Sequence, residues 1–185
     1  IATVVTYLSM TSRPPDRPAP QETGLRLERL GAADSARYLA IFRHLGARWL
    51  WFSRLSIPPA ELAAILGDAG TRAFAVVAQG RDMGLIELDE RNADETELAF
   101  LGLDDPLLGA GAGRYLMNLA LDMAWSRPIR RFWVHSCTFD HPGAIAFYQR
   151  TGFIVEKQAL EIVDDPRLNG RLPREAAPHV PIIEM

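Results

Sequence analysis

The sequence is poor in cysteine, in long apolar stretches and in excess positive charge, and each shortage excludes a class of protein. Cys137 is the only cysteine among 185 residues, so no disulfide framework forms within the chain and we expect a reducing, cytoplasmic setting. No stretch reaches the about 20 consecutive apolar residues of a membrane-spanning helix. The 20 basic and 23 acidic residues give a net charge of −3, which argues against a nucleic-acid-binding protein, because such proteins cluster Lys and Arg against phosphates. An enzyme or a small-molecule binder remains.

The apolar pattern predicts one α+β domain with an addition at each end. Residues 1–12 are β-rich and are predicted to form an extra N-terminal strand. Residues 13–23 hold four prolines, which interrupt both helices and sheets and indicate a linker that crosses the surface. Residues 24–163 form the main domain, and residues 164–185 are predicted to be an extended arm. The two end segments also leave open that the chain pairs with a second copy as a homodimer.

Within the main domain, the periodicity predicts a strand, two helices, an antiparallel meander and then alternating helices and strands. After a strand that begins near Leu25, the predicted elements are a helix capped by Asp34, a helix over Ala60–Leu66, strands over Ala73–Ala78, Gly84–Leu88 and Glu97–Leu103, a helix over Gly111–Ser126, a strand over Arg131–Ser136, a helix over His141–Arg150 and a strand over Gly152–Ile162.

A glycine-rich loop lies between the last meander strand and the helix that follows it. Its glycines, Gly109, Gly111 and Gly113, have no side chains, so backbone N–H groups can approach a ligand, and the start of the helix adds a partial positive charge. Together these features favour an anion site suited to a pyrophosphate, although a simple turn of small residues has the same composition. A dinucleotide site is not indicated, because its loop follows the first strand of a βαβ unit.

Two segments together resemble the GNAT superfamily of acyl-CoA-dependent N-acetyltransferases. The family's phosphate loop, Arg/Gln-x-x-Gly-x-Gly/Ala, corresponds to residues 108–113, and its Asn-x-x-Ala-x-x-Phe/Leu-Tyr-x-x-x-Gly-Phe motif corresponds to residues 141–153. Two positions depart from the pattern. Leu108 replaces the cationic or amide residue, for which Arg114 is a candidate substitute, and His141 replaces the common asparagine.

The resemblance implies a mixed, mostly antiparallel sheet flanked by helices, with a splay between the fourth and fifth core strands. It also implies acetyl-CoA as co-substrate, an acetyl group transferred to a primary amine by direct attack in a ternary complex, and a small-molecule or peptide amine as acceptor. The expected cofactor-binding residues are Leu101, Leu103, Leu108, Gly109, Ala110, Gly111, Ala112, Gly113, Arg114, His141, Ala144 and Tyr148.

The resemblance further implies that Tyr148 donates a proton to the departing thiolate and that Glu97 acts as the general base. Glu87 on the preceding strand is the alternative base, and both glutamates are also typical of solvated strand ends. His135 on the fifth core strand either faces the acceptor or has a structural role.

The remaining candidates leave alternatives open. Histidine and cysteine are both zinc ligands, and the sequence places His135, Cys137 and His141 close together. A fourth ligand is missing nearby, so we expect no metal site. Trp49 and Trp51, together with Phe52, either line an acceptor pocket or pack in the core. The alternative to an enzyme is a non-catalytic acyl-CoA-binding sensor or interaction module, which Leu108 favours.

Overall fold

The computed structural model describes residues 1–20 and 24–184, so residues 21–23 of the predicted linker lie outside the described residues. The strands are β1 (Ala2–Met10), β2 (Arg26–Leu30), β3 (Thr71–Ala78), β4 (Arg81–Asp89), β5 (Glu95–Leu103), β6 (Arg131–Cys137) and β7 (Ile154–Ile162), and the α-helices are α1 (Ser35–Gly46), α2 (Pro59–Gly67), α3 (Ala112–Ala124) and α4 (Ala144–Thr151). None of these helices is long and apolar enough to cross a membrane.

The strands form one sheet in the order β2-β3-β4-β5-β6-β1-β7. Neighbouring strands are antiparallel except β5 and β6, which are parallel. Alternate residues of β3 point to opposite faces: Val76 packs with α3 and α4 in one core, and Ala75 packs with α1 and α2 in the other. The predicted α+β fold, a mostly antiparallel sheet flanked by helices, is confirmed.

The N-terminal strand is an interior strand of this sheet. β1 pairs with β6 on one side, where Tyr7 lies opposite His135, and with β7 on the other, where Tyr7 lies opposite Lys157. Its Leu8 is completely buried in the core beneath α3 and α4. The division that the sequence suggested, with residues 1–12 outside the main domain, therefore does not fit the topology.

The C-terminal segment is folded against the domain rather than extended, which corrects the prediction for residues 164–185. Leu172 and Val180 bury their side chains with Leu50 in a small apolar cluster. Arg167 forms a buried ion pair with Asp165 at 2.7 Å, and its Nη1 donates to three backbone carbonyl oxygens of the tail, including that of Val180 at 2.8 Å. These bonds satisfy the polar groups that a buried turn would otherwise leave unpaired.

Candidate functional site

A cleft of about 720 Å³ lies beside the only parallel strand pair of the described sheet. β5 and β6 pair at three positions, from Glu95 opposite Arg131 to Glu97 opposite Trp133. Further along, both strands line the cleft, β5 from Leu98 onward and β6 from Val134 onward. Backbone groups beyond the paired positions are therefore placed next to the space that a ligand would occupy.

The glycine loop lines the cleft with three of its residues, Gly109, Gly111 and Gly113. Gly109 and Gly111 have φ angles of +79° and +86°, in the left-handed region that costs other L-residues about 1–2 kcal/mol. A Cβ added to Gly109 would have no neighbouring atom within 4 Å, so the space beside this residue is open. Gly113 also lines the cleft, just inside the start of α3. This open backbone turn at a helix start fits an anionic group such as a pyrophosphate.

Most of the residues that the sequence predicts to bind the cofactor line the cleft, and two of them do not. The cleft is lined by Leu101, Leu103, Leu108, Gly109, Gly111, Gly113, Arg114, His141, Ala144 and Tyr148. Ala110 is absent from this lining, and Ala112 is buried at the first position of α3. Their parts in binding could come only from backbone groups.

The Pro-rich segment docks on the start of α3. Nη1 of Arg114 donates to the carbonyl oxygen of Pro18 at 3.0 Å, and Asn118 donates to the carbonyl oxygen of Arg17 at 2.8 Å. Pro20 lies over Gly111, since a Cβ there would be only 2.8 Å from its ring. Arg114, the candidate substitute for the missing cation at position 108, therefore already has a partner within the chain.

Tyr148 lies at the floor of the cleft on α4. Its side chain packs edge-on against Phe147 and Phe153, with ring centroids 5.6 and 5.9 Å apart. Burial raises the pKa of the phenol well above its ordinary value of 10, and the nearby carboxylate of Asp140 raises it further. The hydroxyl consequently stays protonated at neutral pH and is a reluctant proton donor.

Glu97 and His135 are adjacent, but only His135 lines the main cleft. Nδ1 of His135 lies 2.9 Å from Oε1 of Glu97. Glu97 instead lines a smaller pocket of about 270 Å³ that it shares with Trp133 and residues of the β4–β5 turn. The hydrogen bond to Glu97 raises the pKa of His135 above 6.5 despite the opposing effect of burial.

Glu87, the alternative base, is fully buried away from the cleft lining. It accepts hydrogen bonds from the hydroxyl of Tyr38 and from the guanidinium of Arg54. Burial and the adjacent Glu87 raise the pKa of Tyr38 well above 10. The interpretation of Glu87 as a base is wrong, because its carboxylate is enclosed by α1 and the turn that carries Arg54.

Asp140, which the sequence reasoning missed, connects the two sides of the cleft. Its Oδ1 accepts from the indole Nε1 of Trp51 at 3.0 Å, and its Oδ2 accepts from the hydroxyl of Ser136 at 2.9 Å and the N–H of Cys137 at 2.8 Å. Trp51 packs so closely on Gly102 that a Cβ there would lie 3.0 Å from the ring. The sequence feature that could have identified Asp140 is its position as an acidic residue directly before the 141–153 motif.

The aromatic residues between α1 and α2 lie at the cleft, as one of the two sequence interpretations expects. Trp49, Trp51 and Phe52 all line it, together with the acidic residues Asp140 and Glu161. The lining of the cleft therefore includes both apolar surface and negatively charged groups, and Trp51 and Asp140 are directly hydrogen bonded.

His135, Cys137 and His141 are not gathered into a metal centre in the described part of the chain. Among the described residues, no group of three or more His, Cys, Asp or Glu side chains is arranged to hold a metal ion. Nδ1 of His141 accepts from the N–H of Gly143 at 2.9 Å, in the turn before α4. Burial raises the pKa of the Cys137 thiol, which keeps this cysteine protonated and unreactive.

The match to a family model identifies the class of protein to which this fold belongs, the acyltransferases. The model of the acetyltransferase (GNAT) family matches residues 38–153, which is more than half of the chain. The chain belongs to the GNAT acetyltransferase family, and by fold and family it is an N-acetyltransferase. A comparison with curated proteins finds no match.

Solved structures with the same fold include two acetyltransferases that are named for amine substrates. The spermidine/spermine N-acetyltransferase SpeG from Vibrio cholerae has a TM-score of 0.56 and 25% identity, with 74% of this chain and 83% of that chain covered. An aminoglycoside acetyltransferase from an uncultured soil metagenomic sample has a TM-score of 0.59 and 18% identity, covering 77% and 97%. A functionally unknown protein from Staphylococcus epidermidis has a TM-score of 0.60 and 11% identity over 86% of this chain, which spans only 60% of its length.

Proposed function

We propose that the protein transfers an acetyl group from acetyl-CoA to a primary amine by direct attack within a ternary complex. One observation carries this proposal: a single cleft is lined both by the glycine loop and by aromatic and acidic residues, with residues of β5 and β6 also in its lining. Two reactants bound together in this cleft could react directly beside β5 and β6, so no covalent enzyme intermediate is needed.

The backbone of the glycine loop, Gly109, Gly111 and Gly113, is proposed to hold the pyrophosphate, and the open space beside Gly109 allows close approach. Strand residues Leu101 and Leu103 would contact the pantetheine arm. The remaining cofactor-binding residues of this proposal are Leu108, Ala110, Ala112, Arg114, His141, Ala144 and Tyr148. Acetyl-CoA supplies an activated thioester when it is bound, and the Tyr148 hydroxyl donates a proton towards the departing sulfur.

The acceptor is proposed to be a small cationic amine. Trp49 and Trp51 offer flat apolar surface, and Asp140 and Glu161 supply negative charge in the same cleft. A protonated amine is attracted by both kinds of surface. Aminoglycosides and spermidine, the substrates for which two structural neighbours are named, are amines of this kind. We also propose that the enzyme acts in the cytoplasm, as the single cysteine indicates.

The experiment is a calorimetric titration with acetyl-CoA, followed by a thiol-release assay with spermidine, sisomicin and 2-phenylethylamine. Gly109→Ala fills the open space of the loop, and we expect it to weaken acetyl-CoA binding at least about 10-fold. Gly80→Ala is the matched control, because Gly80 also has a positive φ (+73°) and open space but lies in the β3–β4 hairpin.

Amine-dependent thiol release by the wild type, with selective loss of binding in Gly109→Ala, supports the proposal. Acetyl-CoA binding without thiol release on every amine favours instead the non-catalytic sensor, for which the exposed, uncharged Leu108 at the cleft is the supporting observation. Failure to bind acetyl-CoA contradicts both readings.

A further inference from the structure

His135 occupies a position between the acceptor side of the cleft and a carboxylate. It lies on β6, its side chain is half-exposed, and it lines the cleft close to Cys137 and Asp140. Its ring packs beside Tyr7, with centroids 5.9 Å apart, and beside Trp133 at 6.1 Å. These two aromatic neighbours restrict the orientation of the imidazole.

The two ring nitrogens have different surroundings. Nδ1 lies 2.9 Å from Oε1 of Glu97, and an ionised carboxylate only accepts, so Nδ1 carries a hydrogen. In the neutral imidazole, Nε2 is then the basic nitrogen with a free lone pair. Among the residues that the structure describes, none hydrogen bonds to Nε2, which leaves this atom available to a ligand.

We infer that His135 is the general base that removes a proton from the acceptor amine, and that Glu97 positions it by fixing the Nδ1–H form of the ring. This inference rests on the proposed acetyl transfer, and it changes the role expected for Glu97 from base to positioning residue. Glu97 itself lines the smaller pocket rather than the cleft, so the histidine is the group that reaches the reactants.

A base matters because the acceptor amine is mostly protonated. An alkylamine with a pKa near 10.4 is only about 1 part in 2,500 neutral at pH 7. Nε2 of His135 accepts one proton of this ammonium group, which gives the nitrogen the lone pair that forms the new C–N bond. The C–S bond of the thioester breaks and the sulfur keeps its electron pair. A second proton from the nitrogen reaches the sulfur through the Tyr148 hydroxyl, so an amide, a thiol and one proton on His135 result.

The charges around His135 decide the pH at which it is active. Glu97 from β5 has the largest effect and raises its pKa, and Asp140 and Glu161 act in the same direction. Two cations lie over the aromatic neighbours of His135: the ammonium of Lys157 of β7 over the ring of Tyr7 at 4.6 Å, and the guanidinium of Arg131 over the ring of Trp133 at 5.3 Å. Because the pKa is raised, the imidazole is neutral only above a pH higher than 6.5, and the rate should fall as the pH drops through that value.

The kinetic test compares three variants over a pH range with the amine that gives the fastest thiol release in the panel. His135→Gln should lower kcat/KM about 10²–10⁴-fold, leave the Kd of acetyl-CoA unchanged and remove the acid limb of the profile. Glu97→Gln should move that limb to lower pH, because the carboxylate partner that raises the pKa of His135 is lost. Glu95→Gln is the matched control: Glu95 lies on the same strand and bonds Arg131 at 3.1 Å, so its loss should leave the limb in place.

A nitrogen NMR titration of the His135 imidazole measures its tautomer and its pKa, and so tests the His135–Glu97 pair without any turnover. The Nδ1–H form is expected in the neutral wild-type ring, with a pKa that falls in Glu97→Gln. An Nε2–H form, an unchanged limb in Glu97→Gln, or an undiminished rate in His135→Gln overturns the inference while the acetyl transfer stands. If the wild type acetylates none of the amines, the proposed function fails and the inference falls with it.

Discussion

Replacing Glu87 by glutamine tests whether this carboxylate is a structural group rather than a base. The side chain of Glu87 is fully buried and that of Arg54 is only 16% exposed. Nε of Arg54 already has no partner, so the guanidinium depends on Glu87 for its compensating charge. Breaking a buried ion pair by removing one partner costs about 3–5 kcal/mol. The remaining contact of Arg54 over the ring of Phe100, at 5.3 Å, should bring the loss towards the lower value.

The assay is urea unfolding at pH 7 followed by tryptophan fluorescence. A loss of about 3 kcal/mol is a large share of the about 5–15 kcal/mol that stabilises a typical domain. It should lower the melting temperature by about 6–12 °C, since 1 kcal/mol corresponds to about 2–4 °C at this chain length. The acid limb of the rate profile, measured at low temperature where the variant stays folded, should be unchanged.

The matched control removes every polar partner at once, with Glu87→Leu, Arg54→Met and Tyr38→Phe combined. No charge is then left buried without a partner, so this triple variant should be more stable than Glu87→Gln. A loss below about 1 kcal/mol in Glu87→Gln would refute the reasoning, because it would mean that water reaches the site and solvates the guanidinium of Arg54.

Three further predictions concern the cleft and the tail. Tyr148→Phe should slow acetyl transfer about 10²-fold in a thiol-release assay, because its raised pKa makes it a weak acid; a loss beyond about 10⁴-fold would contradict this account. Trp51→Phe should raise the KM for the amine and lower the free energy of unfolding in urea by about 1–2 kcal/mol, because the carboxylate of Asp140 loses a hydrogen-bond donor. Trp125→Phe should lower the free energy of unfolding less, since the buried indole nitrogen of Trp125 has no partner. Asp165→Asn should speed tryptic cleavage after Arg171, because the guanidinium that holds the tail loses its counter-charge, and an unchanged digestion rate would argue against that role.

The wild-type tail should also depend on pH. The guanidinium of Arg167 lowers the pKa of Asp165, so this pair contributes stability above the ordinary carboxyl pKa of about 3.9. That contribution is lost as the pH falls through the lower value of the folded state. Urea midpoints of the wild type should therefore fall more steeply than those of Asp165→Asn in this acidic range.

Local patterns in the sequence were sufficient to locate the elements and the glycine loop. The period of apolar residues places α3 within one or two residues of its observed ends, because that period follows from the geometry of the element itself. The glycines at 109 and 111 take the left-handed backbone that their residue type permits, and the Tyr148 motif lies at the cleft. The start of α4 was predicted three residues too early, because His141 and Gly143 form a turn before the helix.

The tertiary structure alone decided which elements and side chains meet. Any apolar strand offers the same backbone hydrogen bonds, so nothing in residues 1–12 indicates that β1 inserts between β6 and β7. Glu87 and Glu97 are similar in sequence context, yet the register of the sheet and the position of α1 bury one against Arg54 and place the other behind His135. The chemistry of a carboxylate depends on such neighbours, which lie 33 and 38 residues away along the chain, and long-range packing brings them together.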